Sequence, residues 1–175
     1  HSTNEINHSA HAEDDKPPFE AHALDALFTT VTSLQDQEYK RINSDIQLIL
    51  GQFKQKGCIL SIDAQEKMRS LKNRVSRMLQ RLGSYRSALE DAVDDDEEMA
   101  LMNLSILHHQ PKYYSYPLHS NILGTHEEME GLLESYLQRY MTTCAKLEYL
   151  RAQMQSAVDL VYLRLDTSRN QLLVV

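Results

Sequence analysis

The sequence predicts an all-α fold of long, antiparallel, coiled-coil-like helices, the last of them a very long C-terminal stalk helix. Three observations lead to this class. The 175 residues include only 5 Gly and 4 Pro, which suits long helices and argues against a sheet-rich fold. Apolar residues recur every three or four positions over long stretches, a spacing that strands do not use. Residues 125–169 contain no proline and a single glycine, Gly131.

The longest helix is predicted to begin at the good N-cap residue Thr125 and to run to at least Arg169. Its apolar positions keep a helical period for about twelve turns. They are Met129, Leu132, Leu133, Tyr136, Leu137, Tyr140, Cys144, Leu147, Leu150, Met154, Val158, Val161 and Leu165. A helix of this length reaches about 65–70 Å, so it is either a coiled-coil stalk or a helix that leads outside this chain.

The last four residues, 172–175, are all apolar. Two interpretations stay open: the start of a membrane span, which needs about twenty such residues, or a frayed apolar terminus. The chain begins at His1 without an initiator Met, which predicts a fragment.

Composition excludes some classes of function. The formal charge of −7 argues against nucleic acid as a partner. Cys58 and Cys144 lack motif spacing, which predicts two reduced thiols. The sequence shows no nucleophile motif, phosphate loop or Cys-His cluster, so we expect no enzyme activity.

Residues 1–17 are polar and predict a disordered lead-in, followed by one helical domain over 18–175. His8 and His11 would share a metal only on a helix, which is not expected there. The first helix is predicted from Pro18 to Phe53, with Gly57 closing the segment. Its apolar stripe is Leu24, Leu27, Phe28, Val31, Leu34, Ile42, Ile46, Leu50 and Phe53.

The second helix is predicted from about Ser61 to Asp94, capped by Ser61 or Asp63, and packed antiparallel on the first. An unbroken a/d seam covers four heptads. Its residues are Met68, Leu71, Val75, Met78, Leu82, Tyr85, Leu89 and Ala92. The remaining surface is basic and is interpreted as a solvated face, with Arg69, Lys72, Arg74, Arg77, Arg81 and Arg86.

Five adjacent carboxylates follow: Asp94, Asp95, Asp96, Glu97 and Glu98. Because like charges repel, the run must be solvated or neutralised by a cation. It lacks the alternating ligands and central glycine of an EF-hand. A solvated turn before a short helix 97–107 and a specific ion site therefore both remain open. Residues 108–124 predict an irregular loop in which His108 and His109 are surface residues.

Several stretches together resemble one family. They are 18–20 with 23–27 (PFE and ALDAL), the acidic turn 93–99, the segment 127–136, and the Leu-Asp-x-x-Arg-Asn pattern at 165–170. Over residues 17–175 the chain is similar to the eukaryotic, mainly mitochondrial, branch of the CorA magnesium channels. The order and spacing of these motifs are more specific than any one of them.

The resemblance implies the helical part of a soluble domain that faces the mitochondrial matrix and continues into the first span of an inner-membrane channel. It implies five identical subunits and gating by Mg²⁺ on acidic residues. The candidates are the carboxylates of 94–98, with Glu134 and Asp159 of the long helix. The family's preceding α/β portion and its two spans, with Gly-Met-Asn after the first, are not within these residues.

The resemblance further implies that Asp166, Arg169, Asn170 and Leu173 line the pore where it meets the membrane. Asp166 would also bind hydrated Mg²⁺ as a ring of carboxylates. An ordinary surface ion pair between Asp166 and Arg169 is the alternative for these two residues. For the whole chain, the alternative function is a helical scaffold or tether without any role in ion transport.

Overall fold

The computed structural model describes residues 18–54, 62–115 and 127–173. Within these ranges the chain is helical apart from short connections, and no strand occurs. The helices are α1 (Phe19–Lys54), α2 (Ile62–Val93), α3 (Asp96–Leu101), α4 (Leu104–His109) and α5 (Glu127–Leu173), with a 3₁₀ turn at Pro111–Tyr114. The predicted all-α class is confirmed.

Some predictions fall on residues outside these ranges. They concern the lead-in 1–17, His8, His11, Gly57, Cys58, Ser61, Thr125 and residues 174–175.

Three long helices form an up-down-up bundle. Asp45 pairs with Arg74 and Glu38 pairs with Arg81, so α1 and α2 run antiparallel, as predicted. On α2, Lys72 contacts Gln155 of α5 and Tyr85 contacts Tyr140. On α1, Thr29 contacts Tyr136 of α5 and Gln47 contacts Gln153. α5 is therefore antiparallel to α2 and parallel to α1. α2 also packs on α5, and this contact is more extensive than its contact with α1.

The core is a continuous apolar column between the three helices. The a/d seam of α2 is confirmed in its buried members, although Tyr85 is 37% exposed at the edge, where its ring lies 5.8 Å from that of Tyr140. The largest side chains that are essentially inaccessible are Ile42, Ile46, Val75, Met78, Leu82, Met99, Met129, Leu147 and Met154. At about 25 cal/mol per Å² of apolar surface, this burial supplies most of the folding free energy.

The stripe predicted for α1 is partly wrong. Leu27 and Leu34 are exposed, and Thr32 and Gln35 are buried near them. The Thr32 hydroxyl donates to the carbonyl oxygen of Phe28, which satisfies its hydrogen-bonding group inside the bundle. Because α1 packs on two neighbouring helices, its buried face is wide. The spacing of apolar residues alone does not show where the centre of that buried face lies.

The single short helix predicted over 97–107 is also wrong. The chain breaks at Met102 and Asn103 and forms α3 and α4 instead. The side chain of Asn103 is buried, and the amide N–H of Leu107 donates to its backbone carbonyl oxygen. The Tyr114 hydroxyl donates to the carbonyl oxygens of Ala100 and Asn103, at 3.2 and 3.4 Å, and so ties the following 3₁₀ turn back to this break.

α5 is the longest helix, with 47 residues or about 70 Å, and it extends beyond the bundle. Arg164 Nη1 donates to the carbonyl oxygen of Phe53, one residue before α1 ends. Residues 165–173 thus extend about 13 Å past α1. Across the described residues, no helix has a segment apolar and long enough to cross a membrane.

We expect Leu82→Asp to unfold the bundle. Leu82 is fully buried, and an unpaired buried carboxylate costs several kcal/mol. The matched control is Leu34→Asp, because Leu34 is 62% exposed and its substitution should change stability by less than about 1 kcal/mol. Circular-dichroism melts measure both. Similar melting temperatures for the two variants would refute this packing.

Candidate functional site

The acidic turn, residues 94–98, joins α2 to α3 and is exposed throughout. Asp95 is the N-cap of α3: its Oδ1 accepts hydrogen bonds from the amides of Glu97 and Glu98, at 2.9 and 3.1 Å. Asp96, Glu97 and Glu98 occupy the first turn, where carboxylates interact favourably with the positive end of the helix. Part of the charge in this turn is therefore accounted for by helix capping.

Carboxylate oxygens are the ligands that Mg²⁺ prefers, and the ion usually keeps several waters and takes only one or two carboxylates. The exposed acids of the turn fit that chemistry. Among the described residues of one chain, no group of three or more His, Cys, Asp or Glu side chains is placed to hold a metal ion.

A buried carboxylate attaches the acidic turn and its short helices to the bundle. Glu20, at the start of α1, is 6% exposed. It accepts hydrogen bonds from the amide of Ser105, at 2.9 Å, and from the Ser105 hydroxyl, at 2.7 Å. Burial by itself raises the pKa of Glu20, but the Ser105 hydrogen bonds outweigh burial and hold the pKa below its usual value.

A second polar cluster attaches α5 to α1 at the same end. The buried Tyr136 hydroxyl donates to Asp25 Oδ1 at 2.6 Å, and Thr29 Oγ1 lies 2.7 Å from it. The Tyr136 ring stacks on Phe28, with centroids 5.0 Å apart, and the Arg139 guanidinium lies over it. Burial, and then the hydrogen bond to Asp25, raise the pKa of the Tyr136 phenol.

Sequence reasoning missed both polar clusters. Glu20 belongs to one of the quoted motifs, yet a lone acid at a helix start gives no sign of its partner 85 residues away. Tyr136 was counted only as an apolar position. The cap at Asp95 had a usable signal, since an Asp followed three residues later by Glu98 is the capping-box pattern.

The basic face of α2 is less solvated than predicted. Arg74 reaches Asp45 of α1 at 2.7 Å, and Arg81 pairs with Glu38 of α1. Such partly exposed pairs contribute at most about 1 kcal/mol each. They align α1 against α2 but do not form a binding site.

The stalk end, residues 162–173 of α5, carries the predicted pore residues. Asp166, Arg169 and Asn170 are exposed, and together with position 173 they lie within an arc of about 100° on the helix. In the described part of the chain, Asp166 and Arg169 form no ion pair with each other or with another side chain. The helical backbone continues through Leu173.

The structure does not bring the predicted metal residues of one chain together. The acidic turn lies at the α1 N-terminal end of the bundle, and Asp166 lies beyond the opposite end. Glu134 is exposed early in α5, and Asp159 accepts a hydrogen bond from Gln155 at 2.8 Å. The assignment of these acids to Mg²⁺ stays a prediction.

The remaining candidates behave as ordinary residues. His108 and His109 are exposed, as expected. Cys144 is a half-buried free thiol, and burial raises its pKa, although Arg86 opposes the shift.

A three-helix bundle whose last helix extends past α1, with exposed charged residues at the projecting end, defines a stalk-type helical module. The family model described as magnesium transporter MRS2-like matches residues 2–169. The chain belongs to the MRS2-like magnesium transporter family, and the predicted resemblance to the eukaryotic CorA branch is confirmed.

Three curated relatives agree. The chain is 25% identical over 187 residues to magnesium transporter MRS2-2 of Arabidopsis thaliana, covering 92% of this chain and 47% of that protein. It is 28% identical over 159 residues to mitochondrial inner membrane magnesium transporter LPE10 of Yarrowia lipolytica, covering 89% and 32%. It is 25% identical over 161 residues to mitochondrial inner membrane magnesium transporter mrs2 of Schizosaccharomyces pombe, covering 90% and 35%. The chain thus spans a third to a half of these relatives.

We expect Glu20→Gln to destabilise the chain by about 1–3 kcal/mol at pH 7, because the carboxylate accepts two hydrogen bonds from Ser105. The pKa of Glu20 is lower in the folded state, so its contribution is fully present above the unfolded pKa of about 4.3 and is lost as pH falls through the folded value. Urea unfolding from pH 7 to pH 3 should show the two proteins converging at low pH.

The exposed Glu128→Gln substitution controls for the loss of one negative charge. A stability difference between the wild type and Glu20→Gln that stays constant down to pH 3 would contradict the role of the Glu20 carboxylate.

Proposed function

We propose that this chain is the helical, regulatory part of the soluble domain of a magnesium channel built from identical subunits, five in the whole protein. α5 leads towards the pore, and acidic residues sense Mg²⁺. The observation that carries the proposal is the stalk end of α5, which leaves the bundle with Asp166 and Arg169 exposed and unpaired, in a chain of the MRS2-like family.

The pore assignment rests on the shared helix face. A lone exposed Asp on a soluble protein needs no explanation, but five copies around an axis would form a ring of carboxylates. Such a ring concentrates cations and holds hydrated Mg²⁺ through its waters. Arg169, one turn later, would add a ring of positive charge that limits cation passage.

Apolar side chains on another face of α5 support assembly with identical copies. Tyr149 and Leu160 are 65% and 43% exposed and lie within about 20° of each other around α5, about 100–120° from Asp166. Exposed apolar side chains that share a helix face mark interaction surfaces. Neighbouring stalks would cover this pair while leaving the face of Asp166 towards the axis.

The proposed location is the mitochondrial inner membrane, with this chain on the matrix side. The support is that the Yarrowia and Schizosaccharomyces relatives are named mitochondrial inner membrane magnesium transporters. No enzymatic step is needed for this function, because Mg²⁺ is transported and not transformed.

A scaffold or tether is the second candidate. Leu27, Leu34 and Leu48 are exposed on α1 at intervals of seven or fourteen residues, and a partner helix would cover such a row. The rest of the reading frame separates the two functions. Two apolar segments of about twenty residues, with Gly-Met-Asn after the first, support the channel. A soluble continuation supports the scaffold.

We expect Asp166→Ala to reduce Mg²⁺ uptake through the whole protein several-fold, because the carboxylate ring that concentrates the cation is removed. Arg169→Ala should increase the flux, because a positive ring is removed. Thr167→Ala is the matched control: Thr167 is exposed on the same turn but about 100° from Asp166, and its hydroxyl only bonds the carbonyl oxygen of Leu163. Uptake is measured with a Mg²⁺ indicator in reconstituted vesicles. Wild-type transport by both assembled variants would exclude this face as the ion path.

We expect millimolar Mg²⁺ to raise the thermal stability of the chain more than Na⁺ at equal ionic strength, since an ion that binds only the folded state stabilises it. At tenfold excess over Kd the gain is about 1.4 kcal/mol. Replacing Asp94, Asp96, Glu97 and Glu98 by their amides should abolish the Mg²⁺-specific part and leave the Asp95 cap intact.

The control variant replaces Glu127, Glu128 and Glu130, in the first turn of α5, by Gln, and removes charge elsewhere. Equal gains in thermal stability with Mg²⁺ and Na⁺ would show that the effect is charge screening and not specific binding of Mg²⁺. If the amide variant keeps the Mg²⁺-specific gain in thermal stability, the acidic turn is not the sensing site. Glu134 and Asp159 would then be tested next.

A further inference from the structure

A groove of about 380 Å³ lies between the start of α2 and the later part of α5. Phe53, Met68, Val158, Tyr162 and Leu165 give it a mostly apolar lining. Its volume is in the range of small-molecule sites, about 300–1,000 Å³. None of the acids proposed above to bind Mg²⁺ lines it, and it lies at the opposite end of α2 from the acidic turn, although Tyr162 is one helical turn before Asp166.

The described lining also includes two cations, Arg69 and Lys72, and no carboxylate. They are three residues apart on α2 and therefore share one face. Arg69 is exposed and, within the described residues, is in no ion pair. Lys72 Nζ donates to Gln155 Oε1 at 2.7 Å, and Gln155 Nε2 donates to Asp159 at 2.8 Å. Asp159 thus offsets part of the positive charge from outside the groove.

We propose that this groove binds one long-chain fatty-acid anion. The carboxylate would pair with Arg69 and Lys72, and the alkyl chain would lie along Phe53, Met68 and Leu165. The planar guanidinium of an arginine matches a carboxylate, and the apolar lining matches a chain with no polar atoms. A free phosphate would leave the apolar lining uncovered, and a neutral lipid would leave the two cations without a counter-charge. The assignment does not depend on the proposed channel function.

The test is isothermal titration of the 175-residue chain with octanoate, decanoate and dodecanoate below their micelle concentrations. Affinity should rise by up to about fourfold per added methylene, the limit for full burial, because each one leaves water. Dodecanol keeps the chain and lacks the charge, so it should bind about tenfold more weakly.

Variants then separate the two halves of the site. Arg69→Gln with Lys72→Gln should weaken dodecanoate binding about tenfold. Arg77→Gln is the matched control, because Arg77 is an exposed α2 cation outside the groove. This variant should bind dodecanoate with the affinity of the wild type. Leu165→Gln changes a half-exposed side chain, leaves the fold intact and should flatten the dependence on chain length. Asp159→Asn removes the opposing charge and should tighten binding about twofold.

Three results would overturn the proposal. The first is that the wild type binds no dodecanoate, which is the result expected if residues of the chain itself fill the groove. The second is equal weakening by Arg77→Gln and by the double variant, which indicates general charge attraction. The third is binding to vesicles of anionic phospholipid without binding of the free fatty acid, which assigns these cations to a bilayer surface.

Discussion

The structure depends on one interaction, the apolar seam of α5 against both α1 and α2. Leu147 and Met154 on α5 are inaccessible to solvent, as are Ile46 on α1 and Val75 and Met78 on α2. The contact between α1 and α2 is the smallest of the three long-helix contacts, so this hairpin is held together largely through α5. The helix that projects past α1 therefore also makes the most extensive contacts inside the bundle.

α5 is a continuous helix that is attached to α1 at two places. α5 contains one glycine and no proline over 47 residues, and kinks in helices arise mainly at such residues or at bulges. Near its start the Tyr136 cluster ties it to α1, and near its exit Arg164 ties it to the end of α1. Between these attachments the seam is continuous. α5 is therefore attached to α1 near both ends of the bundle and packed continuously between these attachments.

The sequence predicted burial well in the helices where the periodic spacing of apolar residues was the main signal. The a/d seam of α2 and the helical period of α5 predicted most of the buried side chains, although Tyr85 and Leu165 are exposed. α1 was predicted less well, because Thr32 and Gln35 are buried while Leu27 and Leu34 are exposed. The attachment of Glu20 to Ser105 could not be predicted at all. Its hydrogen bonds join residues 85 positions apart, and only the docked α4 brings them together.

The positions of the acidic residues can be explained by the free-energy cost of desolvating like charges together. Within one chain the acids proposed for Mg²⁺ are spread over both ends of the bundle, and those of the acidic turn and Asp166 are exposed to solvent. Asp95 differs from the others in the turn, because it accepts hydrogen bonds from two amides of α3. A chain that built a complete Mg²⁺ cage would have to desolvate several like charges together, at a cost that only a permanently bound ion offsets. Exposed single carboxylates avoid that cost because each keeps its own hydration.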